Sequence, residues 1–250
     1  MNTGVKKIRL DRLLIDRELA HTRSQAQGLI LSGKVWVDGR RVDKAGLLIP
    51  APARLEIRTN RARYVGRGGL KLESALDHFG IRPDGWVAVD IGASTGGFTD
   101  CLLQRGAVRV YAVDVGRGQL HERLRADPRV TVMERTHIRT LDPSRISEKA
   151  DLITVDVSFI SLRGVLPKAM ELMKPAGKIV ALIKPQFEVG RGEVGKGGIV
   201  REPEKRLRVV REIREFAETL GLIAEGEFEC PVAGQDGNLE YFVVFGSVAG

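Results

Sequence analysis

The sequence predicts an α/β protein in which a mixed, mostly parallel sheet follows a small α+β unit. Three observations carry this. From residue 87 onward, short β-branched runs alternate with segments of helical apolar spacing, the pattern of parallel strands joined by helices. Four of these runs lead into a charged residue, Asp90, Asp114, Asp156 or Lys184. Ligand crevices in such sheets open at strand carboxyl ends, so these side chains are expected on one edge. Residues 1–60 follow a different pattern, two helical stretches and then short hairpin-like strands.

In the small unit, Ile8, Leu10, Leu13, Leu14 and Leu19 predict one amphipathic helix. Residues 24–31 predict a second, with Thr22 as its N-cap and Gly33 closing it. Val35–Val37 and the Arg41-Val42 pair flank Asp38-Gly39, a strong hairpin dipeptide, and Leu55–Ile57 adds another strand. Arg9, Arg12, Arg23, Lys34, Arg40 and Arg41 give the unit a basic face suited to RNA phosphates, with a merely solvated surface as the alternative. Residues 61–70 are rich in arginine and glycine and read as a linker, and Arg67 within them is a further candidate RNA contact. The net charge of +8 agrees with a polyanionic partner.

The large unit, 71–250, opens with a helix over 71–79 that sets Leu72, Ala75, Leu76 and Phe79 on one face. Lys71 falls at its start, where the helix dipole disfavours a cation, which hints at function. The strand ending at Asp90 is followed by Gly92-Ala93-Ser94-Thr95-Gly96-Gly97 and then by Phe98 at the head of a helix. Glycines let this turn bend sharply and approach a ligand, with helix amides facing the same crevice. The spacing is not the G-x-G-x-x-G of dinucleotide sites. Asp114 can accept from ribose hydroxyls. Asp90 would repel a diphosphate and suits a cation such as the sulfonium and amino acid end of S-adenosylmethionine. A nucleoside cofactor is therefore expected, with a purely structural turn as the alternative.

Residues 130–133 form the third predicted strand, and the polar loop after it places Thr136 and His137 where an adenine edge would lie. Strands at 151–156 and 178–183 follow, the second leading to Lys184. The stretch from Gly190 to Gly197 nearly spells a P-loop, but Gly197 has no hydroxyl for magnesium, so a mobile basic substrate loop is expected. A helix over 204–220 precedes late strands around Phe228 and Tyr241, closed by the turn Gln235-Asp236-Gly237-Asn238. Cys101 and Cys230 read as reduced thiols, and the four histidines lack metal-ligand spacing, so no metal is expected. Without a long apolar run or a signal-type N-terminus, a cytoplasmic protein that does not enter membranes is expected.

Arg9-Leu10-Asp11, Thr22-Arg23-Ser24-Gln25-Ala26 and Gly33-Lys34-Val35-Trp36-Val37-Asp38-Gly39 resemble an S4 RNA-binding domain. Asp90 to Phe98, Asp156-Val157-Ser158-Phe159-Ile160, Lys184-Pro185-Gln186-Phe187-Glu188 and Asn238-Leu239-Glu240-Tyr241-Phe242 resemble the FtsJ-type Rossmann methyltransferases. Together they resemble the TlyA family, also labelled hemolysin A. The resemblance implies a seven-stranded Rossmann-like domain, S-adenosylmethionine as cofactor, and methylation of cytidine 2′-hydroxyls in ribosomal RNA or ribosomal subunits. It implies a catalytic tetrad on Lys71, Asp156, Lys184 and Glu240. Lys184 is then expected to act on the 2′-hydroxyl with Glu240 orienting it, and Lys71 and Asp156 to support the charge. It places the cofactor against Asp90, Gly92, Ala93, Ser94, Thr95, Gly96, Gly97, Phe98, Asp114, Thr136, His137 and Asp156; relatives more often carry asparagine or aspartate where His137 stands. Competing readings are an RNA-binding regulator with a non-catalytic nucleoside site and a membrane-active hemolysin.

Overall fold

Leu10, Leu13 and Leu14 recur at helical spacing and are all buried, which gives the N-terminal unit its first core helix. The computed structural model describes residues 7–57, 63–190, 192–234 and 237–247. It divides into two compact units, Met1–Ala62 and Arg63–Gly250. Arg61, Arg191, Gln235 and Asp236, which the sequence reading placed in the linker, the glycine-rich loop and the closing turn, lie outside the described residues.

In the first unit, β1 (Lys7–Arg9) leads into α1 (Leu10–Asp16), and α2 (Arg23–Leu31) follows. The expected helix from Ile8 to Leu19 is shorter at both ends. Ile8 pairs in a strand with Ile49 of β4 (Leu48–Pro50), and Glu18 at φ 58° has left helical geometry before Leu19. A distant strand partner claims Ile8, which apolar spacing within one segment cannot reveal. Thr22 Oγ1 accepts from Gln25 N at 3.1 Å, the capping bond the sequence predicts. β2 (Val35–Val37) pairs with β3 (Arg40–Arg41) and β5 (Leu55–Ile57). The hairpin bend holds Asp38 at φ 46° and Gly39 at φ 77°, the two positive angles of a type I′ turn.

The second unit begins with α3 (Gly68–His78), three residues before the expected start, so Lys71 lies within the helix and not at its end. Tyr64 is buried and Val65 N donates to Asp100 Oδ2 at 2.8 Å, so residues read as linker belong to this unit. The glycines that suggested a flexible stretch serve packing. A Cβ on Gly97 would lie 2.8 Å from Gly69 N, and one on Gly69 would strike the Tyr64 ring. Gly97 thus lets α4 (Gly97–Gln104) approach α3 closely, and Gly69 makes room for the Tyr64 ring.

The strands are β6 (Val87–Ile91), β7 (Arg109–Val113), β8 (Val130–Met133), β9 (Ala150–Val155), β10 (Met173–Ile183), β11 (Leu222–Glu229) and β12 (Tyr241–Ser247). They form one sheet in the order β11-β12-β10-β9-β6-β7-β8, and β12 runs antiparallel to both of its neighbours while β6 to β10 are parallel. Val87, Val89 and Ile91 pack with α6 (Leu166–Leu172) and α8 (Pro203–Thr219), whereas Ala88 faces α3, α4 and α5 (Glu122–Arg125). Burial on both faces is what a parallel sheet requires. β11 starts at Leu222, earlier than the expected strand near Phe228, because its alternating half-exposed pattern lacks a long apolar run. The chain runs outward through β7 and β8, then returns to add β9 and β10 on the other side of β6. This order change opens a crevice beyond the ends of β6 and β9.

Candidate active site

Two adjoining cavities fill that crevice, of about 460 Å³ and about 620 Å³, and they share Gly92, Ser94, Asp156, Ser158 and Phe159. The glycine-rich turn forms their common wall. Gly92 at φ 88° and Gly96 at φ 96° take backbone angles that disfavour other residues. A Cβ on Gly92 would sit 2.3 Å from the Asp156 carbonyl oxygen, and one on Gly96 would strike Leu124. Both glycines thus allow close packing of protein on protein. The turn's amides are partly spent as well: Gly92 N and Ala93 N donate to Val113 O, and Ser94 N donates to Asp114 Oδ2 at 2.8 Å.

Asp90 does not play its expected part. It is fully buried, its oxygens accept from Thr99 Oγ1 at 2.7 Å and Thr154 Oγ1 at 3.1 Å, and it lines neither cavity. Burial pushes its carboxyl pKa up to about 7, against the lowering effect of the threonine bonds. It ties α4 to β9 beneath the turn, set back from both cavities. Gly96 also lines neither cavity.

The remaining expected cofactor residues divide between the two spaces. Asp114, Thr136 and His137 line the larger, with Val113, Val115 and Ile138 as apolar wall. Ala93, Thr95, Gly97 and Phe98 line the smaller. Asp114 Oδ1 also accepts from Gly116 N at 2.6 Å. His137 Nδ1 accepts from Arg139 N at 3.2 Å, so the ring caps the next short helix as well as edging the cavity.

All four tetrad residues line the smaller cavity, but their pairing differs from the expectation. Lys71 Nζ lies 2.5 Å from Glu240 Oε2, and Lys184 Nζ lies 2.6 Å from Asp156 Oδ1. Lys184 also donates to Ser158 Oγ at 3.0 Å. Glu240 is therefore paired with Lys71 and not with Lys184. Each lysine is neutralised by its own carboxylate, and a paired ammonium offers N–H donors to an oxygen in the cavity. Glu240 sits so close to Gly234 that a Cβ there would meet Oε1 at 2.2 Å.

Several lining residues were quoted within motifs without being singled out. Phe159 is 85% exposed at φ 65° and faces the Phe187 ring with centroids 4.9 Å apart. In the sequence, Val157 to Ile160 looks like an ordinary apolar step, and only the backbone turns Phe159 outward. Gln186 Oε1 is buried without a hydrogen-bond partner in the same cavity wall. Asn238 accepts from Val200 N at 3.1 Å and donates to Gly198 O at 3.0 Å, which seats the segment after the glycine-rich loop at the cavity. That loop is braced more than expected: Glu193 accepts from Gly190 N and pairs with Arg208 at 2.7 Å.

Of the candidate RNA contacts, Arg67 lies in the second unit and lines the smaller cavity. Arg9, Arg12, Arg23, Lys34, Arg40 and Arg41 are exposed on the first unit. Arg9 and Arg23 share a buried anchor in Asp11, at 2.9 Å and 3.2 Å, and the Arg9 guanidinium holds the Asp11 carboxyl far below the usual carboxylate range. Among the described residues there is no group of three or more metal-ligating side chains, and no helix is long and apolar enough to cross a membrane.

Comparison with known proteins identifies both units by family. The S4 domain family matches residues 8–51 and the FtsJ-like methyltransferase family matches residues 64–247. The 16S/23S rRNA (cytidine-2'-O)-methyltransferase TlyA of Mycobacterium tuberculosis is 45% identical over 95% of this chain and 89% of its own length. Hemolysin A of Brachyspira hyodysenteriae is 38% identical over 95% and 99%. A solved structure described as a hemolysin from Streptococcus thermophilus is 40% identical and covers 98% of this chain and 90% of that one, with a TM-score of 0.75. With the S4 domain, the glycine-turn sheet and the two lysine–carboxylate pairs in place, the chain belongs to the FtsJ-like methyltransferase family, among its S4-bearing TlyA-type members.

Proposed function

We propose that the protein methylates cytidine 2′-hydroxyls of ribosomal RNA, using S-adenosylmethionine. The observation that carries this is Asp156, shared by the two cavities and paired with Lys184, so that a cofactor space and an acceptor space meet at one ion pair.

The donor set of the larger cavity fits the cofactor. Asp114 accepts one amide on each oxygen and keeps lone pairs for ribose hydroxyls, and Val113, Val115 and Ile138 offer apolar surface to a base. Asp156, which lines both cavities as Asp90 does not, supplies the negative charge at the junction. When bound, S-adenosylmethionine supplies an electrophilic methyl group on a sulfonium. In the smaller cavity, Lys184 holds the attacking ribose oxygen by exchanging its Ser158 bond for one to the substrate. With the cofactor bound, transfer of the methyl to that oxygen would break the methyl's bond to sulfur, release a neutral thioether and make the hydroxyl proton strongly acidic, so that the Asp156 carboxylate would suffice to take it. Lys71 and Glu240 add a fixed, neutral pair of dipolar character behind the ribose. Much of the rate then comes from alignment. The arginines anchored by Asp11 suit RNA phosphates, and the TlyA relative's name supports ribosomal RNA as the acceptor.

The test is transfer of labelled methyl from S-adenosylmethionine to ribosomal subunits lacking the modification, with Lys184→Ala as the comparison and ribose-methylation-sensitive primer extension to map the product. Label at a cytidine 2′-oxygen, lost in the variant, supports the proposal and names the subunit. RNA binding without transfer would favour the regulator instead.

A further inference from the structure

We propose that Glu188 is a positioning residue that locks the two walls of the acceptor cavity together, and through them sets the Lys184–Asp156 pair and Phe159. This rests on the methyl-transfer reading above. One wall is the segment after β9, which carries Asp156, Ser158 and Phe159. The other follows β10 and carries Lys184, then α7 (Pro185–Glu188). Glu188 Oε2 accepts from Ser161 Oγ at 2.6 Å and Oε1 accepts from Leu162 N at 2.8 Å. Ser161 Oγ in turn accepts from Arg163 N at 3.1 Å, so one carboxylate fixes the whole start of the short helix Leu162–Gly164.

The consequence falls on the residues between. Asp156 N donates to Ile91 O at 2.9 Å and anchors the near end of the segment, and Glu188 anchors its far end. Between the anchors Phe159 stands at φ 65°, a costly angle for a bulky side chain that persists only where the surroundings impose it. Ser158, which receives the Lys184 bond, precedes it in the same span. Burial raises the Glu188 carboxyl pKa, yet the methyl-transfer chemistry makes no use of this group. A half-buried carboxylate whose two side-chain bonds both cross between the two walls is explained by the hold it gives.

The test uses the full chain with Glu188→Ala and Glu188→Gln. A glutamine keeps both links, its oxygen accepting from Leu162 N and its amide donating to Ser161 Oγ, whose hydroxyl can rotate. Glu188→Ala should lower kcat roughly 10- to 100-fold, because small displacements of reacting groups are that costly, with a smaller loss of S-adenosylmethionine affinity, since residues 156–160 also line the larger cavity. Glu188→Gln should restore kcat. Amide hydrogen exchange should accelerate over residues 157–162 in Glu188→Ala alone. Unchanged kcat in Glu188→Ala, failure of the glutamine to rescue, or a loss accompanied by exchange across the whole sheet would each overturn the proposal. If the unaltered chain transfers no methyl to RNA, the functional reading fails instead, and exchange over 157–162 alone decides: no acceleration in Glu188→Ala overturns the lock.

Discussion

Lys71 and Glu240 form an ion pair with 9% and 2% of their surfaces exposed, joining the first helix of the second unit to the residue before β12. A buried pair is costly to break because the remaining charge has no solvent. Glu240→Ala should therefore destabilise the unit by about 3–5 kcal/mol as well as abolish activity, whereas the double variant Lys71→Met/Glu240→Leu should recover much of the stability and none of the activity. Thermal unfolding beside a methyl-transfer assay checks both. Recovery of activity in the double variant would remove the pair from the chemistry.

Lys184 and Asp156 should behave differently. The two lysine side chains are equally shielded, but the Asp156 side chain is 19% exposed against 2% for Glu240, so loss of Lys184 leaves a carboxylate that water can reach, and loss of the Asp156 charge leaves Lys184 its bond to Ser158. Lys184→Ala and Asp156→Asn should each lower kcat by about 100- to 1,000-fold, the scale of losing one preorganised stabiliser, while unfolding changes little. A fall in stability comparable to that of Glu240→Ala would assign this pair to folding.

The strand-end residues were legible in the sequence for a physical reason. A β-branched run that stops at Asp114, Asp156 or Lys184 marks both the strand and its carboxyl edge, and the edge is where a parallel sheet places ligands. What was not legible is pairing across distance: Lys71 and Glu240 meet only because α3 packs beside β12, which no local pattern records. Asp90 shows the same limit from the other side. Its position in the motif suggests a ligand contact, but the alternation of β6 turns it under α4 to meet Thr99 and Thr154. Gly68 and Gly69 read as part of a linker, whereas they open α3 and are packed there against Phe98 and Tyr64.

Phe159 offers a flat apolar face at the rim of both cavities, and an aromatic ring there can stack on a base of the acceptor RNA. Phe159→Leu keeps the apolar character and removes the stacking face. It should weaken RNA binding by about 1–3 kcal/mol, the usual worth of one base–aromatic stack, and Phe159→Tyr should retain most of the affinity. Titration of RNA into the full chain measures this. Equal affinity for the leucine variant would leave the exposed ring without that role.

Asp90 gives a pH dependence whose sign follows from its burial. Its carboxyl pKa is pushed up to about 7 in the folded protein from an ordinary value of 3.8. Below about pH 4 both folded and unfolded chains carry the proton, so the group contributes no difference. Between about pH 4 and pH 7 the folded chain keeps the proton while the unfolded chain releases it, so rising pH favours unfolding. The accumulated cost approaches about 4 kcal/mol and is complete once pH passes the folded value. Asp90→Asn has no proton to lose, and its carboxamide can still bond both threonine hydroxyls, which rotate to donate or accept. Its melting temperature should thus match that of the unaltered protein near pH 4, exceed it increasingly up to pH 7, and hold a constant lead above that. A lead independent of pH, or one that shrinks as pH rises, would show that Asp90 is ionised in the folded protein and that its two threonine bonds outweigh its burial.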